Sequence, residues 1–205
     1  MTEALKVVTL INIMFIALLM LSGSLGTLAG EVAYYIAFVV PVLIGFYAAK
    51  DLQYKREEIA GIAEKPDRLM SLDCKRVGTL IPLVTPVVAI VFLVSVITSL
   101  LLSLIGIESA PIEDSGIVSM LLAHALVPAI FEEALFRYIP MKLLLHYSRR
   151  WCVLYSAFCF ALIHCSFVQM PYAFVAGAIF MSVDVAFGSV WPSVILHTDY
   201  RSSVV

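Results

Sequence analysis

Two adjacent glutamates, Glu132 and Glu133, lie inside an apolar segment long enough to cross a membrane, and Arg137 follows four residues after the second. The run before them, Leu121-Leu122-Ala123-His124-Ala125-Leu126-Val127-Pro128-Ala129-Ile130-Phe131, carries no formal charge apart from a histidine that can protonate. A carboxylate in the middle of hydrocarbon costs on the order of 3 kcal/mol on insertion scales. Two carboxylates and a guanidinium within six residues multiply that cost. Such charges are sustained only where they turn into a protein interior or a water-filled cavity, and they mark sites of function. The chain must therefore build an interior inside the membrane.

The rest of the sequence agrees. Hydrophobic residues make up 62% and charged residues 14%, against roughly 25% charged in soluble domains, and the mean hydropathy is +1.02. The net charge of −2 argues against a nucleic-acid partner. Cys74, Cys152, Cys159 and Cys165 show neither paired metal-ligand spacing nor the density of a disulfide scaffold, and read as packing residues. There is no soluble domain, internal repeat or low-complexity tract.

Spans of about 20 residues cross about 30 Å of hydrocarbon. On that measure the chain divides into spans at about Leu5–Leu28, Val32–Ala49, Leu80–Ile107, Ile117–Ile139, Trp151–Val168 and Pro171–Phe187, followed by a segment from Ser189 that starts apolar. The first reads as a retained span, because its apolar stretch exceeds the core of a signal peptide. The expected fold is all-α, a polytopic membrane bundle of about six to seven helices. Residues 1–116 form N-terminal membrane helices with a polar loop at about 50–79, and residues 117–205 form the part that carries the acidic pair.

Orientation follows from the basic residues. Seven Lys or Arg lie between Lys50 and Arg76, and Lys142, Arg149 and Arg150 follow the acidic span, whereas the connections around Gly30, Glu108–Asp114 and Gln169 hold none. The N-terminus, the 50–79 loop and the 140–150 connection are thus expected in the cytoplasm, in a multi-pass protein of the plasma membrane whose other surroundings are membrane lipids. Glu132 and His197 each lie about eight residues, about 12 Å, from that side. His164 lies about 8 Å deeper, a difference that helix tilt can absorb.

Within the acidic span Glu133 and Arg137 are four apart, share a helix face and can pair. A carboxylate beside a cation stays ionised and makes a poor proton acceptor. Glu132 points about 100° away, and desolvation suits it to act as a general base. Pro128 removes one backbone bond and is expected to kink the helix just before the pair. His164 follows Phe160 by one turn, and His197 closes the run Trp191-Pro192-Ser193-Val194-Ile195-Leu196-His197. Either histidine alone reads as a structural residue. With the glutamates they read as a proton-transfer site. His124 reads as a packing residue, His146 as interfacial and Asp184 as a solvated turn residue.

Glu-Glu-x-x-x-Arg (132–137), Phe-x-x-x-His (160–164) and Trp-Pro-Ser…His (191–197), in this order, resemble the CAAX prenyl protease and bacteriocin-processing family, also called CPBP or Abi. The resemblance covers about residues 117–200. It implies an all-helical intramembrane endopeptidase that cuts near the cytoplasmic face, its substrate a prenylated or membrane-tethered protein or a bacteriocin-like peptide. It further implies that Glu132 and His164 activate water and that His197 and an asparagine four residues on stabilise the oxyanion; Glu133 and Arg137, through their pairing, and Phe160 are expected to support them. Here that fourth residue is Arg201 and the chain stops at Val205, so the last motif departs from the family and its final helix looks truncated.

A metal-free site is favoured, since the chain has no His-Glu-x-x-His pair. A zinc ion on Glu132, His164 and His197 is the alternative. A non-catalytic immunity or partner-binding protein on the same scaffold is the second functional class. A proton-coupled transporter is disfavoured by the lack of duplicated halves.

Overall fold

The computed structural model describes residues 2–25, 27–60, 69, 78–107 and 127–204, and every regular element among them is helical. The chain is a polytopic membrane helix bundle. It divides into two compact units, Met1–Asp67 with Phe131–Cys152, and Arg68–Ile130 with Val153–Val205.

In the first unit α1 (Thr2–Ser24) and α2 (Thr27–Ala60) follow one another closely and pack side by side. Against them lies a second stretch of chain. It comprises Phe131–Glu133, the last residues of the short helix α4 (Val127–Glu133), a π turn over Ala134–Tyr138, and α5 (Ile139–Leu144). Aromatic rings make the contact. Phe15 of α1 meets Phe38 of α2 at 5.1 Å and Phe136 of the π turn at 5.9 Å, and Phe46 meets Tyr138 at 4.5 Å. Aromatic pairs at such distances add about 0.5–1.5 kcal/mol each beyond the burial of their area. Gly45 lets α2 close on α5, because a Cβ there would overlap the Ile139 side chain.

The second unit packs α3 (Ile81–Ser103) against α7 (Met170–Phe187) and α8 (Trp191–Val204). Val87 and Val91 of α3 share a core with Ala176 and Phe180 of α7 and Leu196 of α8. Proline in the first turn of α3 and of α7 (Pro82 and Pro171) lacks only an N–H that has no partner within the helix anyway. Helix α6 (Arg149–Leu162) runs from the first unit into the second. Its Ala157 backs directly onto Gly177 of α7. A Cβ at Gly177 would lie 3.0 Å from the Ala157 Cα and 3.2 Å from Phe160 Cδ1. Small residues let membrane helices approach this closely. Gly177→Leu is therefore expected to lower stability by about 1–3 kcal/mol, read as a lower thermal midpoint in detergent, with Gly177→Ala intermediate.

The outward faces are apolar, as lipid requires: Leu10, Tyr47, Phe92 and Leu100 are all more than 60% exposed, while Asn12 and Ser22 are buried. Among the described residues four helices are long and apolar enough to cross a membrane, Thr2–Ser24, Val32–Lys55, Val84–Ser103 and Met170–Phe187. They answer to the first, second, third and sixth expected spans.

Three local expectations change. Helix α2 does not stop at Ala49 but continues to Ala60. Residues such as Ala48, Ala49, Leu52, Gln53, Arg56 and Glu57 are strong helix formers, and Asp51 pairs with Lys55 one turn on at 2.7 Å. The end of the hydropathy run is thus not the end of the helix. The fifth span, expected over Trp151–Val168, is a helix of only 14 residues that ends at Leu162, about 21 Å long and short of a full crossing. Cys165, read as a packing residue, is exposed and sits in the left-handed region at φ 46° just beyond that helix end. Cys152 and Cys159 are buried, and Cys74 lies outside the described residues.

Candidate active site

The acidic cluster is held by the first unit. Glu132 is 4% exposed, and Glu133 and Arg137 are 0% exposed. Arg137 Nε lies 3.2 Å from Glu133 Oε2, the pairing that their spacing predicts. The helix is not regular here. The N–H of Ile139 reaches back five residues to the carbonyl of Ala134, so the chain widens into the π turn immediately after the glutamates. Pro140 supplies a reason. It has no N–H for the carbonyl of Phe136, four residues earlier, and Arg137 Nη1 stands 3.4 Å from that carbonyl instead. One guanidinium thus faces both a buried carboxylate and a carbonyl released by proline. Single π turns of this kind recur at functional sites. The expected irregularity at Pro128 falls at the edge of the described residues, and His124 lies outside them; the distortion the structure does hold comes after the acidic pair, at Pro140.

The histidines are held by the second unit. His164 does not sit within a helix, as expected, but in the turn that follows α6. Its backbone N–H bonds to the carbonyl of Ala161, three residues back, at 3.2 Å. The carbonyl of Phe160 thereby loses the donor a continuing helix would provide, and the His164 ring replaces it: Nδ1 lies 2.9 Å from the Phe160 oxygen. A carbonyl can only accept, so Nδ1–H donates, and in the neutral ring the lone pair is on Nε2.

Phe160 touches both histidines. Its ring centroid is 5.2 Å from that of His164 and 5.5 Å from that of His197, in both cases edge-on. His197, 3% exposed, also meets Phe180 of α7 at 5.7 Å. The second unit therefore brings His164, His197 and Phe160 together, and the first unit brings Glu132, Glu133 and Arg137 together. His146 is exposed, with its ring against Tyr147 at 3.8 Å.

Asp184 requires correction. It is not a solvated turn residue but 0% exposed, and it joins two helices. Its carbonyl accepts the N–H groups of Gly188 at 2.7 Å and Ser189 at 3.2 Å, which closes α7 through Gly188 at φ 67°. Its Oδ1 accepts the N–H of Ser193 at 2.9 Å, one of the orphan donors in the first turn of α8. The Ser193 hydroxyl donates to the carbonyl of Val190 at 2.9 Å. A sequence signal for this was present. Asp184 precedes a C-capping glycine and then Trp191-Pro192, the start of a second helix, so a carboxylate there faces an N-terminus.

Among the described residues no group of three or more His, Cys, Asp or Glu side chains is placed to hold a metal ion. The side chain of Arg201 lies outside the described residues, although its backbone belongs to α8.

Residues 114–200 match a family model described as Type II CAAX prenyl endopeptidase Rce1-like. No curated protein and no solved structure gives a significant match.

Proposed function

We propose that the chain is an intramembrane endopeptidase that hydrolyses a prenylated or membrane-tethered protein or peptide, a reading supported by the match of residues 114–200 to the Rce1-like CAAX prenyl endopeptidase model. The observation that carries this reading is the joint burial of Glu132, Glu133 and Arg137 at a π turn inside the matched segment. A scaffold that needed only apolar packing has no use for three charges there.

In the proposed reaction Glu132 accepts a proton from water and the resulting hydroxide oxygen bonds to the scissile carbonyl carbon. His164, anchored at Nδ1, orients that water through Nε2. His197 donates a hydrogen bond to the oxyanion, and the tetrahedral intermediate collapses as the C–N bond breaks. The proton held by Glu132 passes to the leaving amine. The Glu133–Arg137 pair fixes the helix that presents Glu132. No metal is needed, and a plasma-membrane location with the N-terminus in the cytoplasm fits the distribution of basic residues.

The test is cleavage of a fluorescence-quenched peptide bearing a farnesylated C-terminal CAAX sequence by the purified protein in lipid nanodiscs. The wild type is expected to cleave it, and His164→Ala to lower the rate by on the order of a hundredfold while still inserting and purifying normally. A wild type that cleaves neither this peptide nor other membrane-tethered peptides sinks the proposal.

One observation favours a second reading. Arg201 stands where the family carries the asparagine that shares the oxyanion with the last histidine. Loss of one such donor lowers turnover by about a hundredfold or more. A non-catalytic immunity or partner-binding protein on this scaffold would keep its protective phenotype in His164→Ala cells, and the enzyme would not.

A further inference from the structure

We propose that Asp184 is a positioning residue for His197, a role that rests on the assignment of His197 to the oxyanion. Helices α7 and α8 meet through two rungs. On α7, Phe180 and Asp184 are four residues apart and share a face; on α8, Ser193 and His197 are four apart and share a face. Asp184 Oδ1 takes the Ser193 N–H at 2.9 Å, and the Phe180 ring lies 5.7 Å from the His197 ring.

The first rung locks the start of α8. Ser193 is in its first turn, where the N–H groups have no partner within the helix, and Pro192 beside it has no N–H to offer. The same Asp184 closes α7 with its main-chain oxygen, so one residue joins the last turn of one helix to the first turn of the next. Ser193 and Asp184 are both 0% exposed, so water cannot readily replace the bond. A helix gripped at its first turn is fixed in both rotation and translation. One turn further along, that fixes where the His197 ring stands between Phe160 and Phe180. An acceptor oxygen at this place is what the role requires; a formal charge is not.

The experiment compares Asp184→Asn, which keeps an acceptor oxygen, with Asp184→Ala, which removes it. Each is reconstituted with carbon-13-labelled histidine, and the ring resonance of His197 is assigned by its loss in His197→Gln. Asp184→Asn is expected to leave that resonance where it is and to cleave the farnesylated peptide within threefold of the wild type. Asp184→Ala is expected to shift the resonance and to lower kcat at least tenfold with KM within twofold.

A His197 resonance unmoved in Asp184→Ala overturns the proposal. So does one that shifts in Asp184→Asn, and that arm stands even if Asp184→Ala fails to assemble. Should the wild type prove inactive, the catalytic reading fails by itself, while the resonance comparison still decides whether Asp184 sets the place of His197.

Discussion

Glu132→Gln is expected to abolish peptide cleavage, lowering the rate by on the order of ten-thousandfold, while the protein still inserts, purifies and melts as the wild type does. Glutamine keeps the shape and a hydrogen-bonding oxygen but cannot take a proton from water. The variant therefore separates proton transfer from packing. It also removes a potential charge from a position only 4% exposed, so stability should hold or rise. The measurement is single-turnover cleavage of the farnesylated peptide beside a melting curve on the same preparation. Retention of more than a tenth of the wild-type rate would show that the base lies elsewhere. Loss of rate together with collapse of the melt would assign Glu132 to structure.

The opposite pattern is expected at Arg137. Arg137→Met removes one partner of an ion pair whose side chains are 0% and 1% exposed and leaves Glu133 as a buried charge without its guanidinium. Breaking a buried pair from one side costs about 3–5 kcal/mol. The carbonyl of Phe136, next to Pro140, loses Arg137 Nη1 as well. Replacing both partners, as in Glu133→Gln with Arg137→Met, is expected to recover most of the loss, since an apolar or neutral pair of similar volume avoids burying charge. Unfolding titrations in mixed micelles on the two single variants and the double variant give the coupling directly. An Arg137→Met protein as stable as the wild type would remove the pair from its proposed role in holding the Glu132 helix.

The two experiments probe neighbouring carboxylates that the sequence prints side by side. The pairing of Glu133 with Arg137 was legible from spacing alone, because 3.6 residues per turn sets Glu133 over Arg137 and turns Glu132 aside. The π turn was not legible, and neither was the part Pro140 plays in it. A proline announces a lost N–H, but which side chain answers the released carbonyl depends on three-dimensional neighbours. His164 shows the same limit. Its apolar surroundings read as a continuing helix, whereas the chain leaves the helix at Leu162 and the imidazole caps a carbonyl from outside it.

Asp184 was misread even though Gly188 and the Trp191-Pro192 helix start gave a signal for its role. A lone aspartate near a glycine at a helix end suggests a solvated turn, since single carboxylates are seldom buried. Its partner is the first turn of the next helix, nine residues on, and only the reversal of the chain between α7 and α8 brings that donor to it.

By itself, then, the sequence determined that this chain is a helical membrane protein with charges held in its interior, and the spacing of three motifs gave its resemblance to the CAAX prenyl proteases, whose family model matches residues 114–200. Those properties follow from hydropathy and helical period, which are local along the chain. Tertiary structure alone decided where helices end, which carbonyls the prolines release, and how Asp184 ties α8 to α7 beneath His197. Each of these depends on matching a backbone donor or acceptor to a partner from another turn or another helix. In a membrane interior that matching is compulsory, because no water is present to satisfy what the chain leaves open.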